Sequence, residues 1–162
     1  MRTVILAAVV SFGTLSAARA GEEKVSLDKL PRAVSDAVKK RFPSAALTKA
    51  SKETEDGKTA YEVVIKDAGT KIDVIVDPNG VITAIEKTIA VGALPKAVRA
   101  ALDAKYAGAT YHGAEEITKV KDGKETLDCY EVVLTKSDKK KVEVQVGPDG
   151  RIKKEENEGE EK

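Results

Sequence analysis

Two side chains in this sequence have types suited to a nucleophilic pair: the single histidine, His112, and the single cysteine, Cys129. An imidazole can take a thiol proton only at hydrogen-bonding reach. These two stand seventeen positions apart, and no third group is placed to orient them. His112 falls in or near an expected strand and reads as a surface strand histidine. Cys129, being alone, can make no internal disulfide and no paired-cysteine metal site. It reads as a small, semi-buried apolar residue, with a bridge between chains as the alternative. Asp77-Pro78-Asn79-Gly80 carries oxygen ligands, but the spacing of a calcium loop ending in a bidentate Glu is missing. Pro and Gly at these places already meet the needs of a turn. Gly57, Gly80, Gly123 and Gly150 serve turns too, and no phosphate-binding glycine loop is present. The expectation is a chain with no catalytic residues, no metal and no cofactor, and not an enzyme.

The N-terminus bounds where the chain acts. Met1 and Arg2 are followed by a mostly apolar run over Val4–Leu15, then by Ala18-Arg19-Ala20 and the polar Gly21-Glu22-Glu23. That order of charge, apolar run and small residues is a secretory signal peptide, expected over residues 1–20. The apolar run is short for a bilayer span, which needs about 20 residues. No membrane span is expected after cleavage, and the mature chain is expected to be periplasmic or secreted. Removing Arg2 and Arg19 from a chain of net charge +1 leaves it slightly negative. Such a balance gives no electrostatic case for nucleic acid or for an anionic membrane.

The elements that would position any site come as a duplication. Leu30-Pro31-Arg32-Ala33-Val34 returns as Leu94-Pro95-Lys96-Ala97-Val98, and Asp56-Gly57-Lys58 as Asp122-Gly123-Lys124. Tyr61-Glu62-Val63-Val64 returns as Tyr130-Glu131-Val132-Val133, and Asp77-Pro78-Asn79-Gly80 as Gly147-Pro148-Asp149-Gly150. Four blocks in one order indicate an internal repeat. In each copy a proline opens a helix. Leu30, Ala33, Val34, Ala37, Val38 and Phe42 then follow one helical face, as do Leu94, Ala97, Val98, Ala101, Leu102 and Tyr106. Pro43 and Gly108 end these helices. Asp-Gly pairs mark hairpins. Tyr61, Val63 and Ile65 alternate with Glu62, Val64 and Lys66; Ile72, Val74 and Val76 alternate with Asp73, Ile75 and Asp77. Tyr130, Val132, Leu134 and Val142, Val144, Val146 repeat the pattern, and short last strands are expected near Val81–Ile85 and Arg151–Lys154. Period two means a sheet with one buried face, which the helix must cover.

The expected fold is therefore α+β: two tandem modules over residues 21–88 and 89–155, each a helix packed on a three- to four-stranded antiparallel meander. Modules this small are near the size limit for a core without disulfides, so the copies should pack together or join their sheets. The charged stretch after Lys153 cannot bury apolar surface, and an acidic disordered tail is expected over 156–162.

The sheet face away from the helices is mixed. Ala60, Val64, Ile75, Cys129 and Val133 lie there among Glu62, Lys66, Asp73, Glu131 and Glu143. Such a face suits a protein partner, and Glu62, Val64, Lys66, Asp73, Ile75, Glu131, Val133 and Glu143 are the expected contact residues. On this reading Lys at Val64, Ile75 or Val133 leaves folding intact and abolishes binding. An alternative is a small-ligand or envelope-stress module, with a cavity beside the small residues Ala33, Ala37, Ala97 and Ala101.

Leu-Pro-x-Ala-Val opening a helix, Phe42-Pro43 at its end, a Tyr-Glu-Val strand and an Asp-Pro-Asn-Gly turn together resemble the PepSY-like family, itself described as similar to the β-lactamase inhibitor protein. The resemblance spans nearly all of Lys24–Glu155 as two copies. The second copy departs from it at Ala107-Gly108, which replaces the Pro, and at Gly147, which replaces the Asp. The resemblance implies an exported protein with a helix packed on an antiparallel sheet. It also implies binding or inhibition of another exported or envelope protein, such as a peptidase, and it supplies no catalytic residues.

Overall fold

The computed structural model describes residues 22–55 and 57–157. The expected signal peptide and residues 158–162 of the expected tail lie outside the described residues.

The described residues form one antiparallel sheet of nine strands in sequence order. The strands are β1 (Glu22–Val25), β2 (Ala46–Glu55), β3 (Lys58–Asp67), β4 (Thr70–Val76), β5 (Ile82–Ile89), β6 (Thr110–Lys121), β7 (Lys124–Thr135), β8 (Lys141–Val146) and β9 (Ile152–Asn157). Helix α1 (Arg32–Arg41) connects β1 to β2, and α2 (Lys96–Lys105) connects β5 to β6. This overturns the expected fold of two tandem helix-on-sheet modules: the sheets of the two copies join, as one of the two expected arrangements had it, but into a single continuous sheet that carries both helices. β5 pairs with β6 from Ala84↔Lys119 through Ile89↔Ala114, so no sheet edge exists between the expected copies. The physical reason lies in β5. It runs on to Ile89, beyond the short last strand expected near Val81–Ile85, and its free side becomes a full pairing edge for β6. A paired edge satisfies backbone groups that two separate modules would each leave open.

Both helices lie on one face of the sheet. Leu30, Val34, Val38 and Phe42 pack with Ala50, Val63, Ile65, Ile72, Val74, Val76 and Ile85. Leu94, Val98, Leu102 and Tyr106 pack with Ala114, Tyr130, Val132, Leu134, Val142, Val144 and Val146. The helical stripe expected from the i, i+4 spacing is thus the buried one. Pro31 and Pro95 stand at the N-caps. Lys39, Lys40 and Arg41 end α1, where positive charge suits the helix dipole. Arg41 also grips Glu125 of β7 through two hydrogen bonds of 2.8 and 3.1 Å.

The alanines on the helices have a structural use. The turn between β4 and β5 is tied by Asp77, whose Oδ1 accepts from the backbone N–H groups of Asn79 (2.9 Å) and Val81 (2.8 Å). It brings Gly80 so close to α1 that a Cβ there would lie 2.6 Å from the Ala33 carbonyl oxygen. The β8–β9 turn does the same at α2, where a Cβ on Gly150 would lie 2.7 Å from the Ala97 oxygen. The space beside Ala33 and Ala97 is therefore filled by turn backbone and is not the ligand cavity that small residues suggested. The second turn also explains its missing Asp. Asp149 Oδ1 accepts from Arg151 N–H at 3.0 Å, and a Cβ on Gly147 would meet that same oxygen at 2.7 Å.

The charged end of the chain is more ordered than its composition suggests. Lys153–Asn157 lies in β9 and pairs with β8 as far as Val142↔Asn157, so Glu156 and Asn157 are sheet residues. Side-chain ties compensate for the missing apolar burial: Lys153 reaches the Asp128 carboxylate at 2.9 Å, and Tyr106 donates to Glu155 at 2.5 Å.

Candidate functional site

The helix-free face carries the residues that the core does not use. Cross-strand register aligns Ser51, Glu62, Ile75 and Ala84 in one row, and Lys49, Val64, Asp73, Glu86, Ile117 and Cys129 in the next. A further row runs through Thr88, Glu115, Glu131 and Gln145, and another through Gly113, Val133 and Glu143. All eight expected contact residues fall on this face, because the side-chain period of a strand is two. Their exposure differs from the expectation. Lys66 is exposed and Glu62 and Val64 are half-buried, whereas Asp73, Ile75, Glu131, Val133 and Glu143 are buried. Lys at Ile75 or Val133 would force a charge into a site with 5% or 2% exposure and is expected to damage the fold. Val64 remains a usable probe.

The centre of this face is an acidic cluster on three adjacent strands: Asp73 on β4, Glu86 on β5 and Glu115 on β6. They are 0%, 1% and 1% exposed, and one carboxylate oxygen of each lies within 4.8 Å of the others. Lys71 Nζ donates to Asp73 Oδ2 at 2.5 Å and stands 3.6 Å from Glu115 Oε1. Thr88 Oγ1 donates to Glu115 Oε1 at 3.2 Å. Asp73 Oδ1, Glu86 Oε2 and Glu115 Oε2 are buried without a hydrogen-bond donor. Beside the cluster, Gln145 Nε2 donates to Glu131 Oε2 at 2.9 Å.

Loss of water dominates the electrostatics. Burial, reinforced by the charges of Glu115, Glu131, Glu62 and Asp73, pushes the Glu86 carboxyl up to about 10. Burial raises Glu115 to about 7 against the pull of Lys71. Burial and the Asp73 charge raise Glu62 to about 7. Asp73 and Glu131 are also raised by burial, opposed by hydrogen bonds from Lys71 and Gln145 respectively.

The sequence reading found Asp73 and missed Glu86 and Glu115. The expected β5 stopped at Ile85, one residue short of Glu86. β6 has no continuous Val/Ile run, so its alternation is weak around Glu115. Carrying period two onward from Ile85 and back from Ile117 places both acids on the helix-free face.

The nucleophilic pair does not form. His112 is exposed, and its Nε2 shares a 2.7 Å hydrogen bond with Thr135 Oγ1. Cys129 is buried and free and pairs across the ladder with Ile117, five strand residues from His112, a separation of about 17 Å along the strand. Burial pushes the thiol up to about 12, the opposite of what a thiolate nucleophile needs. Replacing His112 by Ala is expected to change stability by no more than about 0.5 kcal/mol; urea unfolding checks this. A cleft of about 360 Å³ opens on the helix side, lined by Arg41, Phe42, Ile72, Ile85, Lys87 and Glu125 among others. Its Arg41 and Glu125 are already committed to each other. No described helix is long and apolar enough to cross a membrane.

Known proteins place the chain. The profile for "Peptidase propeptide and YPEB domain" matches residues 32–80, and the profile for "Putative beta-lactamase-inhibitor-like, PepSY-like" matches residues 60–154. A BLIP-like protein from Bacteroides fragilis shares the fold with a TM-score of 0.60 at 20% identity, covering 80% of this chain and 87% of its own. A protein from Bacteroides eggerthii described as "putative periplasmic" aligns with a TM-score of 0.65 at 17% identity, covering 78% of this chain and 88% of its own. No curated protein matches. The family expected from the Leu-Pro-x-Ala-Val, Tyr-Glu-Val and Pro-x-Gly segments is the one found: with its profile spanning more than half of the sequence, this chain belongs to the β-lactamase-inhibitor-like, PepSY-like family.

Proposed function

We propose that this chain is an exported, non-catalytic binding protein, acting in the periplasm or outside the cell, that holds another envelope protein against its helix-free sheet face and regulates or inhibits it. The observation that carries this reading is the sheet's asymmetry. One face is sealed by α1 and α2. The other has no described helix over it and concentrates the carboxylates of Glu62, Asp73, Glu86, Glu115, Glu131 and Glu143. Positive charge from a partner would stabilise these carboxyls in their ionised form. The partner's anchor is accordingly a basic side chain flanked by apolar ones, meeting Glu62, Val64 and Lys66 at the accessible edge of the acidic centre. The signal peptide expected over residues 1–20 and the periplasmic description of the Bacteroides eggerthii protein support the compartment.

Affinity capture from envelope extract, with Gly21–Lys162 as bait, tests the proposal. One protein should be retained by the parent chain. Its capture should fall at least tenfold with Glu62→Lys and with Val64→Lys, and should survive Lys39→Glu on the helix side. Its activity should change when this chain is added. Capture undiminished in both sheet-face variants would overturn the reading, as would no stoichiometric partner at all.

A further inference from the structure

We propose that Asp73, Glu86 and Glu115 form a binding site for a hard divalent cation, calcium, at the centre of the helix-free face. Three features converge on it. The donors are all carboxylate oxygens, one from each of three adjacent strands, within 4.8 Å of one another. Oxygen-only donor sets select hard cations over softer transition metals. Each residue also leaves one buried oxygen without a donor: Asp73 Oδ1, Glu86 Oε2 and Glu115 Oε2. Buried acceptors are normally satisfied, and a cation satisfies several at once. Finally, with all three carboxyls ionised, the Lys71 ammonium that meets Asp73 and Glu115 offsets one charge, and a divalent ion would offset the other two.

The donor set favours calcium over magnesium. Calcium accepts several protein carboxylates in a flexible geometry at about 2.3–2.6 Å, whereas magnesium demands a strict octahedron at about 2.0–2.1 Å, keeps several waters and is usually held by only one or two carboxylates. The site uses none of the oxygens of the Asp77-Pro78-Asn79-Gly80 turn, where Asp77 Oδ1 is already taken by two backbone N–H groups. It stands independently of the partner-binding reading, since it concerns this chain alone.

The test is calorimetric titration and thermal melting of Gly21–Lys162, stripped with chelator and titrated with calcium chloride, then with magnesium chloride. Calcium at about a hundred times its dissociation constant should raise Tm by about 5 °C or more, with a stoichiometry near one. Glu86→Gln keeps the side-chain shape and removes the charge. It should melt no lower than the parent chain in chelator and lose at least tenfold in calcium affinity. Lys71→Met frees Asp73 Oδ2 and should bind calcium more tightly than the parent. The exposed Glu23→Gln should behave as the parent. No heat and no Tm shift with calcium in the parent chain would overturn the site, as would an equal response in Glu86→Gln. An equal shift with magnesium would overturn the assignment to calcium.

Discussion

Gly80→Ala should lower stability by about 3 kcal/mol or more and Tm by roughly 10 °C, and Gly150→Ala should do much the same. Gly80 has φ +86° and Gly150 φ +82°, in the left-handed region where any residue with a Cβ costs about 1–2 kcal/mol. The larger part of the effect is steric. The new Cβ of Gly80→Ala would lie 2.6 Å from the Ala33 oxygen and 3.0 Å from its carbonyl carbon. Both are helix backbone, which cannot rotate away as a side chain can. Either the turn lifts off α1 or α1 moves off the sheet, and in both cases Val34 and Val38, each with no exposed surface, lose packing. Gly69 is the internal control. It has the same φ of +86° with nothing within 4 Å of a Cβ, so Gly69→Ala should show the backbone cost alone. Urea unfolding of the three variants separates the two contributions. A loss in Gly80→Ala no greater than in Gly69→Ala would show that the turn does not bear on the helix.

The same turns show how far the sequence could be read. Apolar spacing located both helices and their buried stripes because a helix packed on one face must repeat near 3.6 residues. Alternation assigned Val63, Ile65, Val74 and Val132 to the core and Glu62, Asp73 and Glu131 to the other face. Three things escaped. The choice between packed copies and joined sheets rests on the β5–β6 ladder, a pairing between distant segments that local pattern does not report. The continuation of the last strand through Glu155–Asn157 comes from ladder pairing with β8, not from apolar burial. The depth of Asp73, Glu131 and Glu143 escaped because charged residues on a helix-free face normally meet water. Among the described residues, burial here arises where neighbours on the same face, such as Lys71, Thr88 and Gln145, close over the acids. The small helix residues carried a signal with two meanings, a cavity or a close approach. Only the positions of Gly80 and Gly150 decide between them.

In calcium-free buffer the acidic cluster should make the protein most stable near pH 5 and progressively less stable towards pH 8. In the unfolded chain these carboxyls titrate near their ordinary value, about 4.3 for Glu. In the folded chain Glu115 keeps its proton to about 7 and Glu86 to about 10. The folded state therefore binds more protons than the unfolded state once pH passes the ordinary carboxylate range. Stability must then fall as pH rises, by about 1.4 kcal/mol per pH unit for each proton of difference. The contribution is complete below the unfolded value, is lost through pH 7 as Glu115 and then Glu62 ionise, and continues to be lost above pH 7 through Glu86. The groups facing Glu86 act in the same sense where they are acidic, namely Glu62 on β3, Asp73 on β4, Glu115 on β6 and Glu131 on β7. Lys71 opposes them through Asp73 and Glu115. Below pH 4 the trend reverses, because Asp103, Glu125 and Glu155 are held below the ordinary range by hydrogen bonds from Tyr111, Arg41 and Lys105. Protonating those acids weakens these ties. Urea unfolding at pH 5, 6, 7 and 8 in chelator should give a stability falling by more than about 1 kcal/mol per unit. Glu86→Gln should flatten the curve, most clearly above pH 7, where Glu86 still holds its proton. A stability that is level or rising from pH 5 to pH 8 would mean that the three carboxylates are ionised and paired in the folded chain.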